Sequence, residues 1–414
     1  MPGLNRLSRR IGWSLALALP VLLLFPVVAS LAGTLEERLD AVVSRAVAEN
    51  RLVGGVVVVA RDGRVAYRKA FGLADREAGR PARPDTVFRL ASMTKPLVSA
   101  VALILADQGR LALDDPVAKW LPFFRPRLAD GTPADMTIRQ LLTHTAGLSY
   151  GFLEPADGPL ARAGVSDGLD RPGISLAENL RRLATVPLSF PPGSAWGYSL
   201  AIDVLGAVVA TAGGGELPEV VARVLTGPLG MADTAFVAVP GGRLSVPYAA
   251  GKGGPHRMAD PEVLANAASG VRFSPSRATD PAAYPSGGGG MVGTADDYLR
   301  FVEAVRLSGG GLLAPETARA MTANQIGDIR PDLAGPGRGF GFGFGASVLL
   351  DPQAAGHPGN VGLWSWSGVY GSHFFMDRQA GLSVVVLTNT TPDGMSGRFP
   401  HDIAEAVYAA GETP

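Results

Sequence analysis

Runs of β-branched and apolar residues stand near both ends of this 414-residue chain, and few strand signals lie between them. Residues 53–60 and 65–71 flank an Asp-Gly turn, which is typical of a β-hairpin. Residues 372–376 and 382–387 form a second pair of runs around the turn DRQAG. A hairpin is at most marginally stable alone, so the pattern predicts one antiparallel sheet that is built from both ends of the chain.

The middle of the chain has helical and loop patterns instead. Residues 125–190 and 237–287 are rich in Pro, Gly and small residues, which predicts loops with few regular elements. Apolar spacing and capping residues predict helices over residues 35–48, 92–108, 137–148, 199–212, 294–306 and 402–410.

These patterns predict an α+β fold with two parts. The first is an α/β sheet domain made from residues 33–115 and 288–414. The second is a mostly helical and loop domain, residues 116–287, inserted between the two halves of the first. Ligand pockets tend to form where such parts meet, so we expect the functional site at their junction.

The first 32 residues have the pattern of an export signal. Three arginines precede an apolar run from Ile11 to about Ala32, and Ser30-Leu31-Ala32 fits a small-residue cleavage site. An uncleaved membrane anchor is the alternative, because the apolar run is longer than a usual signal core. In either case we expect the mature chain to begin near Gly33 and to work in the periplasm or as a secreted protein.

Composition excludes several classes of function. Lys plus Arg and Asp plus Glu both number 37, so net charge gives no reason to expect nucleic acid as a partner. The chain has no cysteine, which excludes disulfides, thiolate zinc sites and a cysteine nucleophile. None of the five histidines has the local spacing of a metal motif. We therefore expect no metal site, and membrane contact only through the N-terminal segment.

The stretch LASMTKPLVSA, residues 90–100, carries the first candidate catalytic group. Ser92 and Lys95 are three residues apart, so at the start of a helix they share one face. The helix dipole and an apolar setting both disfavour an ammonium ion there, and a neutral lysine can accept the proton of a serine. The alternative is that Ser92 caps the helix and Lys95 extends to solvent. Lys95 is, however, the only lysine in the chain with a serine three residues before it.

Two further stretches carry candidate site residues. Tyr198 stands just before the helix predicted at 199–212, and beside a catalytic lysine its phenol is expected to ionise more easily. Gly368 lies in the aromatic run GLWSWSGVYGSHFFMD, where glycine often marks the close approach of a ligand or another backbone. The alternatives are a tyrosine packed in the core and an ordinary β-bulge.

The three stretches together resemble the serine β-lactamase and penicillin-binding-protein superfamily, and most closely its branch of class C-like carboxylesterases. The resemblance extends from about Leu35 to Ala410 and is carried in order by Ser92-Met93-Thr94-Lys95, Tyr198-Ser199-Leu200 and Trp366-Ser367-Gly368. It implies a β-lactamase-like fold and an acyl-enzyme mechanism without a cofactor.

The resemblance also implies roles for individual residues. Ser92 would be the acylated nucleophile, Lys95 the base and Tyr198 the proton partner. The backbone N–H groups of Ser92 and Val369 would form the oxyanion hole. The third motif, Trp366-Ser367-Gly368, would contact the substrate.

Two departures from the lactamase pattern favour neutral esters over β-lactams. Trp366 stands where β-lactamases and penicillin-binding proteins carry a lysine that faces the substrate carboxylate, and no lysine follows Lys252. Leu200 replaces the asparagine of the second motif. We therefore predict hydrolysis of short-chain carboxylic esters. The alternatives are a β-lactamase, a D-amino-acid peptidase or acyltransferase of the same fold, and a non-catalytic binding protein.

A second serine motif competes with Ser92. Gly164-Val165-Ser166-Asp167-Gly168 fits G-x-S-x-G, the nucleophile elbow of α/β-hydrolases. That elbow needs a strand before it and a helix after it, whereas Gly and Pro interrupt the sequence on both sides. We therefore do not expect Ser166 to be the nucleophile.

Overall fold

The computed structural model describes residues 33–171, 173–265, 268–331 and 337–409. The predicted export signal, residues 1–32, lies outside the described residues, as does the last residue of the helix predicted to end at Ala410.

The described residues contain a helix at each of the six positions that apolar spacing predicts, and six further helices that were not predicted. The helices are α1 Leu35–Ala48, α2 Thr94–Asp107, α3 Val117–Trp120, α4 Ile138–Leu142, α5 Pro159–Arg162, α6 Leu176–Leu183, α7 Ala201–Gly213, α8 Leu217–Val221, α9 Ala295–Arg306, α10 Pro315–Met321, α11 Pro352–Ala355 and α12 Arg398–Tyr408. Short 3₁₀ turns cover Ala91–Met93, Gly151–Leu153 and Pro275–Thr279, and a π-helical turn covers Ala222–Thr226.

The strands lie mainly near the two ends of the described chain. They are β1 Gly54–Arg61, β2 Arg64–Asp75, β3 Arg80–Pro81, β4 Phe88–Arg89, β5 Tyr248–Ala249, β6 His256–Arg257, β7 Glu262–Leu264, β8 Val271–Phe273, β9 Val292–Gly293, β10 Phe340–Phe342, β11 Ser347–Leu349, β12 Trp364–Gly368, β13 Ser372–Asp377, β14 Leu382–Thr388 and β15 Thr390–Thr391.

One eight-stranded antiparallel sheet joins the two ends of the chain. Its strand order is β10-β11-β12-β13-β14-β1-β2-β3, and β1 pairs with β14 so that Val57 lies opposite Val386. The predicted fold class, an antiparallel sheet from both ends flanked by helices, is confirmed. The proposed domain boundaries at 115/116 and 287/288 stay a prediction.

Helices cover both faces of this sheet, which explains why its central strands are apolar throughout. Side chains alternate between faces along β1. Val57 and Val59 pack with α1 and α12 on the outer face. Val56 and Val58 belong to the larger core that includes α2, α7 and α9. Helix α2 lies inside this core and is buried from Thr94 to Leu105, so its first turn is held away from water.

Three predicted elements differ from the structure. The helix expected over 137–148 ends at Leu142, because His144 and Gly147 take left-handed backbone angles, with φ of 56° and 82°. The last helix begins at Arg398 rather than Asp402, since Pro400 falls in its first turn, where no N–H is needed. The segment 237–287, expected as loop, contains the short strands β5 to β8.

Within the described ranges, no single helix is both long and apolar enough to cross a membrane. One pair, α7 with residues Leu217–Thr226, reaches that length and composition across a bend of 73°. The core side of both helices is buried in the protein.

Candidate active site

The turn Ala91–Met93 places Ser92 at the entrance of α2. Ala91 takes a left-handed conformation with φ of 44°, a strained backbone for a residue with a side chain, and such strain is frequent at functional sites. The Tyr298 hydroxyl donates a hydrogen bond of 3.0 Å to the carbonyl of Met93 and helps to hold the turn. Ser92 is partly exposed, while every residue of α2 from Thr94 to Leu105 is buried.

Three candidate groups meet at the Ser92 hydroxyl. Lys95 Nζ lies 3.1 Å from Ser92 Oγ, and the Tyr198 hydroxyl donates to the same oxygen at 2.6 Å. Lys95 Nζ also donates to the carbonyl of Gly288 at 2.7 Å and stands 4.7 Å from the centre of the Tyr198 ring. The structure therefore brings Ser92, Lys95 and Tyr198 together. Lys95 does not extend to solvent: its side chain is 0% exposed.

The surroundings of Lys95 favour its neutral form. Burial lowers the pKa of the Lys95 amine to about 7, although the carboxylate of Asp203 acts in the opposite direction. Near neutral pH a substantial fraction of Lys95 therefore carries a lone pair, which can accept the serine proton at 3.1 Å. This agrees with the expectation from the sequence.

The expectation for Tyr198 is wrong. The pKa of its phenol is raised, not lowered, because loss of solvent around the ring outweighs the hydrogen bond to Ser92. The carboxylate of Asp203 raises it further. The lysine expected to favour the phenolate is itself only about half protonated near pH 7 and largely neutral above it. Tyr198 is thus a phenol that donates to Ser92 and not a tyrosinate.

Strand β12 approaches the nucleophile turn closely at its last residue. A Cβ atom on Gly368 would lie 2.2 Å from the carbonyl oxygen of Leu90, so only glycine fits there. Val369 follows directly. In the part of the chain that the structure describes, the amides of Ser92 and Val369 donate to no other group. Two N–H groups on facing backbone segments are the arrangement that an oxyanion hole requires.

The other two residues of the third motif face opposite ways, as alternate residues of a strand do. Trp366 is 7% exposed, and its ring lies 5.6 Å from that of Tyr198 and 5.3 Å from that of Phe342. Ser367 Oγ donates to the carbonyl of Met395 at 3.3 Å. Trp366 therefore forms an apolar wall beside Tyr198, whereas Ser367 is not brought to Ser92.

Sequence reasoning missed several groups around Lys95. Asp203, the third residue of α7, is completely buried, and burial raises the pKa of its carboxyl group. A Cβ atom on Gly288 would lie 2.3 Å from Asp203 Oδ2 and 3.0 Å from the Tyr150 hydroxyl. Asp203 and Tyr150 thus adjoin the same peptide that accepts from Lys95. A buried Asp in an apolar helix five residues after Tyr198 was the available signal.

His144 is a second missed group. Its ring lies 5.0 Å from the Tyr198 ring, and its Nδ1 is 3.2 Å from Ser199 Oγ. Burial, together with Lys95, holds the pKa of His144 well below its usual value, so the ring is neutral. No group of three or more metal-ligating side chains occurs among the residues described.

The structure places the competing serine elsewhere. Ser166 Oγ contacts the carboxylate of Asp170 and, at 3.0 Å, the Tyr284 hydroxyl. It also accepts from the amide of Gly168 at 3.1 Å. None of these partners is a histidine or a lysine. Residues 164–168 follow the short helix α5 and not a strand, so this segment is not a nucleophile elbow.

A sheet from both chain ends, with a serine, a lysine and a tyrosine meeting at the start of a buried helix, defines a β-lactamase-like protein. A family model for Beta-lactamase matches residues 39–408, and the chain belongs to that family.

Its relatives include enzymes that act on esters. Esterase EstB from Burkholderia gladioli is 53% identical over 385 residues, which cover 91% of this chain and 96% of that protein. The structure of EstCE1, described as a hydrolase with promiscuous acyltransferase activity, has a TM-score of 0.86 at 44% identity and covers 90% of this chain and 98% of its own. A mutant of simvastatin synthase from Aspergillus terreus has a TM-score of 0.71 at 25% identity, over 89% of this chain and 96% of its own. The predicted family and the predicted enzyme class, a β-lactamase-related serine hydrolase, are confirmed.

Proposed function

We propose that this protein hydrolyses short-chain carboxylic esters through an acyl-enzyme on Ser92. The observation that carries the proposal is the meeting of Lys95 Nζ and the Tyr198 hydroxyl at Ser92 Oγ, at 3.1 Å and 2.6 Å. A nucleophile in contact with a base of pKa about 7 and with a second proton donor fits covalent catalysis near neutral pH.

The proposed reaction begins with the neutral form of Lys95. Its amine takes the proton of Ser92 while Oγ attacks the ester carbonyl carbon. The negative charge that develops on the carbonyl oxygen is stabilised by the amides of Ser92 and Val369. Tyr198, as a neutral phenol, gives its proton to the departing alkoxide, and the proton held by Lys95 restores the phenol. Water then attacks the acyl-enzyme, and the same groups move the protons in reverse.

The walls of the site support an uncharged substrate. Trp366, Trp196 and Tyr150 surround Tyr198 with aromatic rings, and no lysine follows Lys252 in the chain to face a substrate carboxylate. The 53% identity to Esterase EstB supports the same choice. The partner that we propose is therefore a small neutral ester.

Transfer of the acyl group to an alcohol is the second candidate function. It is favoured by the likeness to EstCE1, a hydrolase with promiscuous acyltransferase activity. In the apolar surroundings of Ser92, an alcohol can compete with water for the acyl-enzyme. The ratio of acyl-alcohol to free acid, formed from one ester in the presence of a short alcohol, separates transfer from hydrolysis.

The initial rate of p-nitrophenyl butyrate hydrolysis, compared between the mature protein and its Ser92→Ala variant, tests the proposal. We expect the variant to lose nearly all activity, by at least about a thousandfold, because it lacks the hydroxyl that attacks the ester. Equal rates in the two proteins would overturn the assignment and make Ser166 the next candidate.

Rapid hydrolysis of a chromogenic cephalosporin, with no ester hydrolysis, would favour the β-lactamase alternative. A protein that is acylated once and never turns over would be a binding protein.

We also propose that residues 1–32 direct export of the chain to the periplasm or the medium. Support comes from the three arginines that precede the apolar run and from the small residues before Gly33. N-terminal sequencing of the protein recovered from a periplasmic extract distinguishes a cleaved signal, which begins near Gly33, from an intact anchor.

A further inference from the structure

The segment Gly164–Gly168 has a fixed backbone although it is not a nucleophile elbow. The Ser166 amide donates to Asn179 Oδ1 at 2.8 Å, and Asn179 Nδ2 donates back to the Ser166 carbonyl at 2.9 Å. On the other side, the Gly168 amide donates to Ser166 Oγ at 3.1 Å. These bonds hold the chain before and after Asp167, so the Asp167 carboxylate projects from a rigid base.

Both carboxylate oxygens of Asp167 accept backbone amides from the 3₁₀ turn Gly151–Leu153. Oδ1 accepts from Gly151 at 2.7 Å, and Oδ2 accepts from Phe152 at 3.1 Å. No side chain at Tyr150 caps this turn, so Asp167 satisfies amides that a helix start otherwise leaves without acceptors. A Cβ on Gly151 would lie 3.1 Å from Oδ2, and glycine therefore lets the carboxylate approach.

The residues on either side of Gly151 border the proposed active site. The Tyr150 ring lies 5.3 Å from Lys95 Nζ and 5.1 Å from the Tyr198 ring. The Phe152 ring stacks on Tyr150, with centres 4.6 Å apart and planes 19° apart. A shift of the turn would therefore move two aromatic rings, one of which is adjacent to the base.

Phe152 also packs against an apolar cluster that reaches the nucleophile turn. The cluster contains Ala91, which precedes Ser92, and Leu169, which follows the Asp167 segment. Val369, which supplies the second amide of the proposed oxyanion hole, packs at its border. Phe152 and Val369 are partly exposed at the edge of this buried cluster, and an apolar surface of this kind is suited to the hydrocarbon part of an ester.

We propose that Asp167 is a positioning residue that holds Phe152, stacked on the buried Tyr150 ring, as the wall against which the apolar part of the ester packs. The proposal rests on the ester hydrolysis proposed above. It gives the G-x-S-x-G segment a role in substrate binding without any covalent step at Ser166.

The test substitutes Asp167→Asn and measures kcat and KM for p-nitrophenyl butyrate at about pH 8, above the pKa values of about 7 for Asp167 and Lys95. An amide side chain has one acceptor oxygen for two N–H donors, so the turn loses one bond. We expect KM to rise about tenfold and kcat to change much less, since Ser92 and Lys95 are untouched. Asp170→Asn is the matched control, because Asp170 contacts Ser166 and not the turn, and its KM should stay at the wild-type value.

A second variant keeps the proposal testable if Asp167→Asn does not fold. Phe152→Ala removes the wall directly, and its KM should rise by a similar factor. The KM of the double variant should then be no higher than that of the single variant with the higher KM, because both changes remove the same interaction. Unchanged KM in Phe152→Ala, or additive effects in the double variant, would overturn the proposal. Full activity of Ser92→Ala would instead contradict the proposed function.

Discussion

Ser92 and Lys95 are separated by only two residues, yet one is partly exposed and the other has no contact with solvent. The 3₁₀ turn Ala91–Met93 leaves Ser92 at the surface of the site, while Lys95 enters the core with the first turn of α2. The serine is thus reachable by a substrate, and the lysine is kept in surroundings that favour a free amine.

We expect kcat/KM to rise with pH through about 7, because the Lys95 amine is the active form and its pKa is lowered to about 7. Below this pH the ammonium predominates, and kcat/KM should fall about tenfold for each further unit. The measurement is the pH dependence of kcat/KM for a neutral ester.

Lys95→Arg is the control for this profile, because arginine keeps the positive charge but does not lose its proton. The variant should be about a thousandfold less active than the wild type above pH 8, and its kcat/KM should show no rise through pH 7. A wild-type profile that is flat down to pH 5 would contradict the assignment of Lys95 as the base.

At the residue scale, the sequence predicts what local spacing determines and little more. Ser92 and Lys95 lie one helical turn apart, so their contact follows from a helix alone. Tyr198 comes from a distant part of the chain. The prediction that its pKa falls was wrong, because the residues next to Tyr198 in the sequence do not show that folding excludes solvent from its ring. Asp203 and Tyr150 adjoin Lys95 only because distant segments meet at Gly288.

At the scale of elements, the critical junction is that between β12 and the turn before α2. Gly368 ends the strand, and the space where its side chain would lie is filled by the Leu90 carbonyl. The same contact brings the Val369 amide to the site. The close contact between the backbone at Gly368 and the backbone at Leu90 therefore affects both the stability of the fold and the geometry of the proposed oxyanion hole.

Gly368→Ala tests this junction. A Cβ 2.2 Å from a backbone oxygen must push β12 away from the turn, which we expect to cost about 1–3 kcal/mol of folding free energy. Because the Val369 amide moves as well, kcat should fall together with the melting temperature.

Gly253→Ala is the matched control, since a Cβ there meets no atom within 4 Å. Its melting temperature and kcat should equal those of the wild type. Wild-type kcat in Gly368→Ala would show that the position of β12 is not needed for the reaction.

Element positions followed from the sequence where the pattern was long and its caps were clear. Helices α1 and α9 begin where the pattern predicts, and Thr34 and Thr294 cap them in the structure. The error at α4 has a different cause: its sequence is helical in composition, but His144 takes a left-handed angle as its ring packs against Tyr198. Tertiary contacts at the site overrode the local preference.

At the scale of the whole molecule, the two ends of the described chain stabilise each other across the outer face of the sheet. Helices α1 and α12 lie side by side and cover Val57, Val384 and Val386. Arg38 of α1 donates to the carbonyl of Ala406 in α12 at 2.9 Å. The proposed catalytic groups lie on the opposite face, in the core around α2.

Ile403→Ala should therefore separate stability from catalysis. Ile403 is fully buried in α12, and its truncation leaves a cavity that we expect to cost about 2–5 kcal/mol. The kcat of the folded protein should stay at the wild-type value, because α12 does not touch the site. Thermal unfolding and kcat, measured on the same samples, check this.

His401→Ala, at an exposed position of the same helix, is the control and should leave the melting temperature nearly unchanged. A large fall in kcat for Ile403→Ala would show that the outer face is coupled to the site.

The sequence could predict that both ends share one sheet, but not its strand order. That order depends on pairings such as Gly55 with Thr388, for which neither strand carries a local signal.

The pairing of β1 with β14 also has a consequence for synthesis. Translation proceeds from the N-terminus, so the β1–β2 hairpin is complete long before its partner has been made. Until β14 emerges, β1 presents an unpaired apolar edge that can pair with another nascent chain. A chain that stops short of residue 382 never closes that edge, so premature termination should yield aggregates rather than a smaller folded enzyme.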